Sequence, residues 1–149
     1  MNTKSQEYKK LIVYTDGGSR GNPGPSATGY VVMDDNLEVI ESGGEYLGIT
    51  TNNQAEYQAV KTGLVQAVKY SPKEIEFRID SLLVVNQMKG LYKIKNRDLW
   101  PVNSSIKQLI EDTAADVSFV HVKRELNKQA DQKVNDVLDM QAKQRDKTS

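Results

Sequence analysis

Four acidic residues occur in contexts from which their carboxylates could converge on one point: Asp16, Glu56, Asp80 and Asp131. Asp16 and Asp80 follow short apolar segments, whereas Glu56 and Asp131 lie near the start of segments with helical periodicity. Carboxylates that are brought together repel one another unless protons or cations neutralise them. Hard divalent cations such as Mg²⁺ prefer oxygen ligands. The pattern therefore predicts a metal site assembled from four distant parts of the chain, and hence a metal-dependent enzyme.

Glu56 is the most informative of the four acids, because its carboxylate lies on the apolar face of its own predicted helix. Small and apolar residues follow it at helical spacing, namely Val60, Gly63, Leu64 and Ala67. A buried carboxylate is costly unless it is protonated, hydrogen-bonded, paired or bound to a cation, and three further acids favour the cation. Taken singly, Asp16 and Asp80 fit turn or helix-cap roles equally well, and Asp131 fits a solvated first-turn position.

The segments that carry these acids alternate between strand-like and helix-like patterns. Strands are predicted at residues 11–14, 30–33, 38–46, 75–79 and 117–122, and helices at residues 52–70, 82–89, 99–110 and 130–138. The first strand is expected to end at Asp16 and the fourth at Asp80, while Thr51 and Gln54 form a capping box for the first helix. Early strands followed by alternating helices and strands predict an α/β fold with a mixed sheet.

The composition limits the classes of protein that remain possible. The 149 residues are enough for one domain, which we place at residues 10–140, with a flexible segment at 1–9 and a frayed tail at 141–149. Twenty Lys and Arg residues balance twenty Asp and Glu residues, so nucleic-acid contacts would come from local patches. The absence of Cys excludes disulfides, thiolate catalysis and zinc–thiolate sites. With no apolar signal segment or membrane-spanning run, we expect a cytoplasmic protein.

Five strings around the acids resemble the type I ribonuclease H family in their order and spacing. They are Tyr14–Ser19, Gly21–Gly24, Thr51–Glu56, Asp80–Ser81 and Arg124–Asp131. The resemblance covers nearly the whole chain. It implies a five-stranded mixed sheet, with three antiparallel strands followed by parallel strands, flanked by helices. It also implies an endonuclease that cleaves the RNA strand of RNA/DNA hybrids.

On this resemblance the four acids would be both the catalytic residues and the metal ligands. Two Mg²⁺ ions about 3.5 to 4 Å apart would activate a water and stabilise the leaving oxygen, with Mn²⁺ as a substitute. No organic cofactor and no membrane partner is expected, and we expect a monomer that binds an RNA/DNA hybrid.

The resemblance also implies substrate-binding residues. The backbone near Gly17 and the side chains of Asn22, Asn52 and Asn53 are candidates for contacting the 2′-hydroxyl, which distinguishes RNA from DNA. For the DNA strand, Thr51 and Asn96 resemble phosphate-pocket residues, and Trp100 lies near them in the same pattern. Helix capping by the asparagines and core packing of Trp100 are equally compatible with the sequence.

The chain departs from the family at two places. Many members have a His in a mobile loop before the last helix that assists product release, but His121 falls in the predicted last strand. Arg124 is better placed for that role, and we interpret His121 as structural. A basic helix-and-loop insertion is missing, and only Lys89, Lys93, Lys95 and Arg97 form a weak cationic stretch. We therefore expect modest, salt-dependent affinity for hybrids.

Two other functions remain open at this point. An exonuclease or resolvase on the same superfold would share the metal acids and differ in its substrate surface. A non-catalytic hybrid-binding domain would bind without cleaving. A phosphotransferase of the haloacid dehalogenase class is disfavoured, because Gly18 stands where its second acid would be needed. Walker-type nucleotide binding is disfavoured because its Gly-rich lysine motif is absent from the sequence.

Overall fold

The computed structural model describes residues 8–148. Its strands are β1 (Lys10–Ser19), β2 (Gly24–Asp34), β3 (Val39–Thr50), β4 (Glu74–Ile79) and β5 (Asp116–His121). Its helices are α1 (Asn52–Val68), α2 (Leu82–Met88), α3 (Trp100–Asp112) and α4 (Lys128–Thr148), with single 3₁₀ turns at Arg97–Leu99 and Arg124–Leu126. Each predicted strand and helix is present, and the predicted α/β class is confirmed.

The five strands form one mixed sheet in the order β3-β2-β1-β4-β5. The pairs β1–β2 and β2–β3 are antiparallel, whereas β1–β4 and β4–β5 are parallel. This is the predicted arrangement of three antiparallel strands followed by parallel strands.

Helices cover both faces of the sheet, because side chains alternate between the faces along each strand. The larger core joins one face to α1 and α3; its fully buried members include Leu11, Val13, Leu64, Phe77 and Ile106. On the other face, α4 packs through Ala130, Val134 and Leu138 against residues of β1 and β2. None of the described helices combines the length and the apolar character needed to cross a membrane.

Strand β1 is longer than the sequence predicted, and Asp16 does not end it. The parallel ladder with β4 stops at the Tyr14–Arg78 pair, but antiparallel pairing with β2 continues to Ser19. The two glycines after Asp16 suggested a turn. Here Gly17 instead permits close packing, since a Cβ on it would lie 2.2 Å from the carbonyl carbon of Ala55. Asp16 therefore lies where β1 separates from β4 while still paired with β2.

The structure describes part of each terminal segment. Helix α4 continues to Thr148, and residues 141–148 contain no Gly or Pro to stop it. Fraying of this tail stays a prediction. Of the predicted flexible segment 1–9, residues 1–7 lie outside the described part of the chain. The Tyr8 ring packs edge-on against Tyr70 at 5.7 Å, and the Lys9 carbonyl accepts the Glu74 N–H.

A second close approach fixes α4 on the sheet. Gly29 pairs with Asp16 across β1 and β2, and a Cβ on Gly29 would lie 2.2 Å from the carbonyl oxygen of Ala130. Ala130 directly precedes Asp131 in the first turn of α4. The missing side chain at Gly29 therefore determines how near Asp131 comes to Asp16.

We predict that Gly29→Ala lowers the free energy of unfolding by about 1 to 3 kcal/mol, because the new methyl group must displace the backbone of α4. Gly18→Ala is the matched control, since its Cβ would meet only the Val134 Cγ1 atom, at 3.3 Å. Urea denaturation of both variants measures the difference. Equal stability of the two variants would contradict the proposed role of Gly29.

Candidate active site

Three of the predicted acids meet at the edge of the sheet where β1 and β4 separate. One carboxylate oxygen from each of Asp16, Glu56 and Asp80 lies within 4.8 Å of the other two. Asp16 comes from β1, Glu56 from the second turn of α1, and Asp80 from the residue after β4. Because β1 and β4 are parallel neighbours, their carboxyl ends lie at one edge, where ligands bind in open α/β sheets.

The fourth acid, Asp131, borders the same site from α4. It lines the open cleft of about 480 Å³ that also contains the other three acids. Its side chain helps to raise the pKa of Asp16, and it is more exposed than the three clustered acids. The structure thus brings all four predicted acids to one cleft.

Glu56 is held by the start of α1 and by β1. The Thr51 hydroxyl caps α1 by accepting the Gln54 N–H at 3.2 Å, which is one of the two bonds of the predicted capping box. The Gln54 side chain donates to the Asp98 carbonyl at 2.7 Å. Glu56 is 7% exposed, and its Oε1 atom accepts the Gly17 N–H at 2.8 Å. The buried position predicted for Glu56 is therefore confirmed, and the backbone of β1 supplies one of its hydrogen bonds.

The electrostatics of the cleft favour a neutralising charge. Burial is the largest cause that raises the pKa of Asp16, to about 9, and the nearby Glu56 and Asp80 raise it further. Burial also raises the pKa of Glu56, to about 7, against the lowering effects of the Gly17 N–H and the Arg124 charge. The raised pKa of Asp16 means that this carboxyl holds a proton at neutral pH in the absence of cations. A divalent cation would replace that proton, because it neutralises the same charges.

The donor set fits a hard cation. The titratable side chains that line the cleft are the four acids with Arg20 and Arg124, and neither His nor Cys is among these lining residues. Carboxylate oxygens suit Mg²⁺ and Mn²⁺, whereas zinc sites usually include His or Cys.

Arg124 lies in the cleft, in the 3₁₀ turn between β5 and α4. His121 lies in the last strand, as predicted; it is the final residue of β5 and is exposed, outside the cleft lining. Of Arg124 and His121, it is therefore Arg124 that lines the cleft with the four acids.

The predicted substrate-binding residues fall into two groups. Gly17, Asn52 and Asn53 line the cleft. Asn22 does not; its Oδ1 atom accepts the Asn52 N–H at 3.0 Å and so supports the start of α1. Asn53 also borders a second depression, of about 580 Å³, that extends towards the connector after α2.

Of the three residues expected to contact the DNA strand, Asn96 lines this second depression, whereas Thr51 and Trp100 are not among its lining residues. The Asn96 Oδ1 atom caps the following 3₁₀ turn by accepting the Asp98 N–H. Trp100 is 49% exposed, donates its indole N–H to the Ile94 carbonyl and stacks under Arg97. The core-packing interpretation of Trp100 is therefore wrong.

A group of residues beside Asp131 was missed by the sequence analysis. Arg20 forms a salt bridge with Asp139 at 2.7 Å and contacts the Asn135 Oδ1 atom at 3.4 Å. The Asn135 amide lies 3.4 Å from the Asp131 carboxylate. The spacing of Asp131, Asn135 and Asp139 by four residues marks one helical face and could have indicated this group. Exposed ion pairs contribute little stability, so the contacts mainly orient α4 against the cleft.

We predict that the metal-free protein loses stability as the pH rises. Unfolded Asp16 releases its proton near pH 3.8, whereas the folded protein retains it to about pH 9. Across that interval the folded state binds more protons than the unfolded state, so the free energy of unfolding falls with increasing pH. Urea denaturation in chelator at several pH values between 4 and 9 measures this slope.

Asp16→Asn should remove most of the decrease in the free energy of unfolding with rising pH. In chelator at about pH 8 we expect the variant to be about 1 to 3 kcal/mol more stable than the parent, with the difference vanishing near pH 4. The exposed Asp136, on the same helix as Asp131, provides the control Asp136→Asn with the same change of charge. A parent protein whose stability does not change with pH would contradict the raised pKa of Asp16.

Comparisons with known proteins agree with this geometry. The family model described as reverse transcriptase-like matches residues 14–137. The ribonuclease HI of Halobacterium salinarum is 39% identical over 130 residues, which cover 87% of this chain and 65% of that protein. The bifunctional protein Rv2228c of Mycobacterium tuberculosis is 38% identical over 134 residues, and the match covers 36% of its length. The chain thus spans less than two thirds of the length of either relative.

Solved structures show the same fold. LC11-RNase H1 in complex with an RNA/DNA hybrid superposes with a TM-score of 0.81 at 39% identity, covering 85% of this chain and 94% of that one. The RNase H1 of Halobacterium salinarum superposes with a TM-score of 0.83 at 38% identity, covering 87% and 98%. With a family match over most of its length and this shared fold, the chain belongs to the type I ribonuclease H family.

Proposed function

We propose that the protein is an endoribonuclease that hydrolyses the RNA strand of RNA/DNA hybrids with two divalent metal ions. The convergence of Asp16, Glu56 and Asp80 within 4.8 Å, in a chain of this family, is the observation that carries the proposal. The hybrid bound to LC11-RNase H1, which is 39% identical, supports the choice of substrate. A cytoplasmic location and a monomeric state remain predictions from the sequence.

The four acids are the proposed metal ligands. Bound Mg²⁺, or Mn²⁺ in its place, supplies Lewis acidity that activates a water and stabilises charge on the phosphate oxygens. Asp16 lies within 4.8 Å of Glu56 and Asp80 and shares the cleft with Asp131. Glu56 is oriented by the Gly17 N–H. Because this N–H is already used by Glu56, the Gly17 backbone contributes by orienting a metal ligand.

The cleft surface supports recognition of the RNA strand. Asn52 and Asn53 are exposed at the start of α1 beside Glu56, where their amides can reach a ribose 2′-hydroxyl. Asn22 holds the Asn52 backbone and thereby positions this pair. Arg124 lines the cleft and its charge lowers the pKa of Glu56, and we assign it to binding the cleaved phosphate and assisting product release.

The second depression supports binding of the DNA strand. It joins the cleft at Asn53, and Lys93, Lys95 and Asn96 lie along it. Lysine side chains there can neutralise phosphates, and most of the binding free energy should come from this electrostatic term. Thr51, Asn96 and Trp100 are the proposed contacts on this side.

One experiment separates this function from its alternatives. The protein is incubated with labelled RNA/DNA hybrid, double-stranded RNA, duplex DNA or single-stranded RNA, each with Mg²⁺, Mn²⁺ or chelator. Metal-dependent internal cuts in the hybrid alone are the expected result. Cuts that progress from one end would indicate an exonuclease, cuts in branched or duplex DNA a resolvase, and binding without cleavage a regulatory domain.

We predict that Asp16→Asn reduces hybrid cleavage by roughly a thousandfold or more, which corresponds to about 4 kcal/mol of lost transition-state stabilisation. Hybrid affinity, measured by fluorescence anisotropy, should stay close to that of the parent, because Asp16 is assigned to binding metal and not to contacting the hybrid. Asp136→Asn, with the same charge change outside the cleft, should cleave normally. Full activity of Asp16→Asn would refute the assignment of the metal site.

A further inference from the structure

Asn127, the residue before α4, is one of few buried polar residues in the described part of the chain. It is 1% exposed, although it adjoins an open cleft. An Asn at this place would ordinarily cap the helix by accepting an N–H with its side-chain oxygen. Its Oδ1 atom has no hydrogen-bond partner, so the side chain is not used as a cap.

The amide nitrogen of Asn127 instead faces two acceptors from distant segments. Nδ2 donates to the Thr15 carbonyl at 2.9 Å and lies 3.4 Å from the Asp80 Oδ2 atom. A flipped amide would turn its oxygen towards both acceptors, so these contacts fix the orientation. The oxygen is left without a donor as a result. Leaving a buried oxygen unpaired is unfavourable, which indicates that the contacts of the nitrogen matter more than the cap.

The backbone of Asn127 connects the same residue to the fourth acid. Its carbonyl accepts the Asp131 N–H at 3.2 Å, the first helical hydrogen bond of α4. Asn127 therefore contacts three segments. They are Asp80 itself, Thr15, which directly precedes Asp16, and the helical turn that carries Asp131. One side chain and one carbonyl therefore link the segments of three acids.

This link lies where the sheet no longer provides one. The ladder between β1 and β4 ends at the Tyr14–Arg78 pair, before Asp16 and Asp80 are reached. Beyond that point, the Asn127 side chain donates a hydrogen bond to the Thr15 carbonyl. A neutral amide also suits the place electrostatically, since a Lys or Arg there would neutralise the acids and compete with a cation.

From these contacts we propose that Asn127 is a positioning residue, which holds Asp80 and Asp131 in place relative to Asp16 for divalent metal binding. The inference rests on the proposed function, because it assumes that the acids bind metal. Groups that orient metal ligands typically change metal affinity or activity by about 10- to 100-fold when they are removed.

The test is Mn²⁺ binding to the full chain without nucleic acid, measured by isothermal titration calorimetry well below the unfolding temperature. We expect Asn127→Ala to raise the Mn²⁺ Kd by about 10- to 100-fold. In hybrid cleavage, the Mg²⁺ concentration for half-maximal rate should rise similarly, while the KM for hybrid changes less than twofold. Asn127→Ser, which keeps one donor on a shorter side chain, should show a smaller change in the same direction.

Two control variants on α3 distinguish positioning from general destabilisation. Ile106→Ala empties a fully buried site in the main core, and Asn103→Ala repeats the same truncation outside the cleft. Both should bind Mn²⁺ with the parent Kd. If Asn127→Ala fails to fold, Asn127→Ser carries the test.

The positioning role is overturned if the folded Asn127 variant binds Mn²⁺ within twofold of the parent, or if Ile106→Ala loses affinity to the same extent. Failure of the proposed function gives a different result. In that case the parent protein itself would bind no Mn²⁺ or would leave hybrid uncut, whatever residue occupies position 127.

Discussion

The mutual repulsion of carboxylates in one cleft is the constraint on which this structure depends. Asp16, Glu56 and Asp80 are held within 4.8 Å of one another, and burial makes their charges harder to solvate. The rest of the fold must hold them there against that repulsion. It does so through the large core shared by the sheet with α1 and α3, and through short polar contacts at the cleft. Such an arrangement is stable only with a neutralising proton or cation, which is why it points to metal chemistry.

Two close backbone contacts determine the geometry of this cleft. Gly17 lets the start of α1 approach β1, so that the Gly17 N–H reaches Glu56. Gly29 lets the first turn of α4 approach β2 at the position that pairs with Asp16. A Cβ at either position would lie 2.2 Å from backbone atoms of the helix, so a side chain there would push the helix away from the sheet. Small residues thus act on the acids through the backbone, without contributing any chemistry themselves.

The sequence could predict the parts of the site that have local signals. The helical spacing after Glu56 indicated a buried carboxylate, and the capping box at Thr51 located the start of α1. Asn127 and Arg20 gave no such signal, because their partners are 47 to 119 residues away in the chain and an Asn before a helix suggests a cap. The predicted end of β1 was wrong, because glycine occurs both in turns and where two backbones pack closely. A single sequence does not distinguish these two roles of Gly17.

Locating the metal ions tests most directly the proposal that the four acids of the cleft bind two divalent cations. Crystals of the parent protein with a hybrid that carries a non-cleavable linkage, grown in Mn²⁺, would be measured for anomalous scattering. We expect two anomalous peaks in the cleft, with ligands drawn from Asp16, Glu56, Asp80 and Asp131. Peaks elsewhere on the molecule, or a cleft without anomalous signal beside an ordered hybrid, would contradict the proposal.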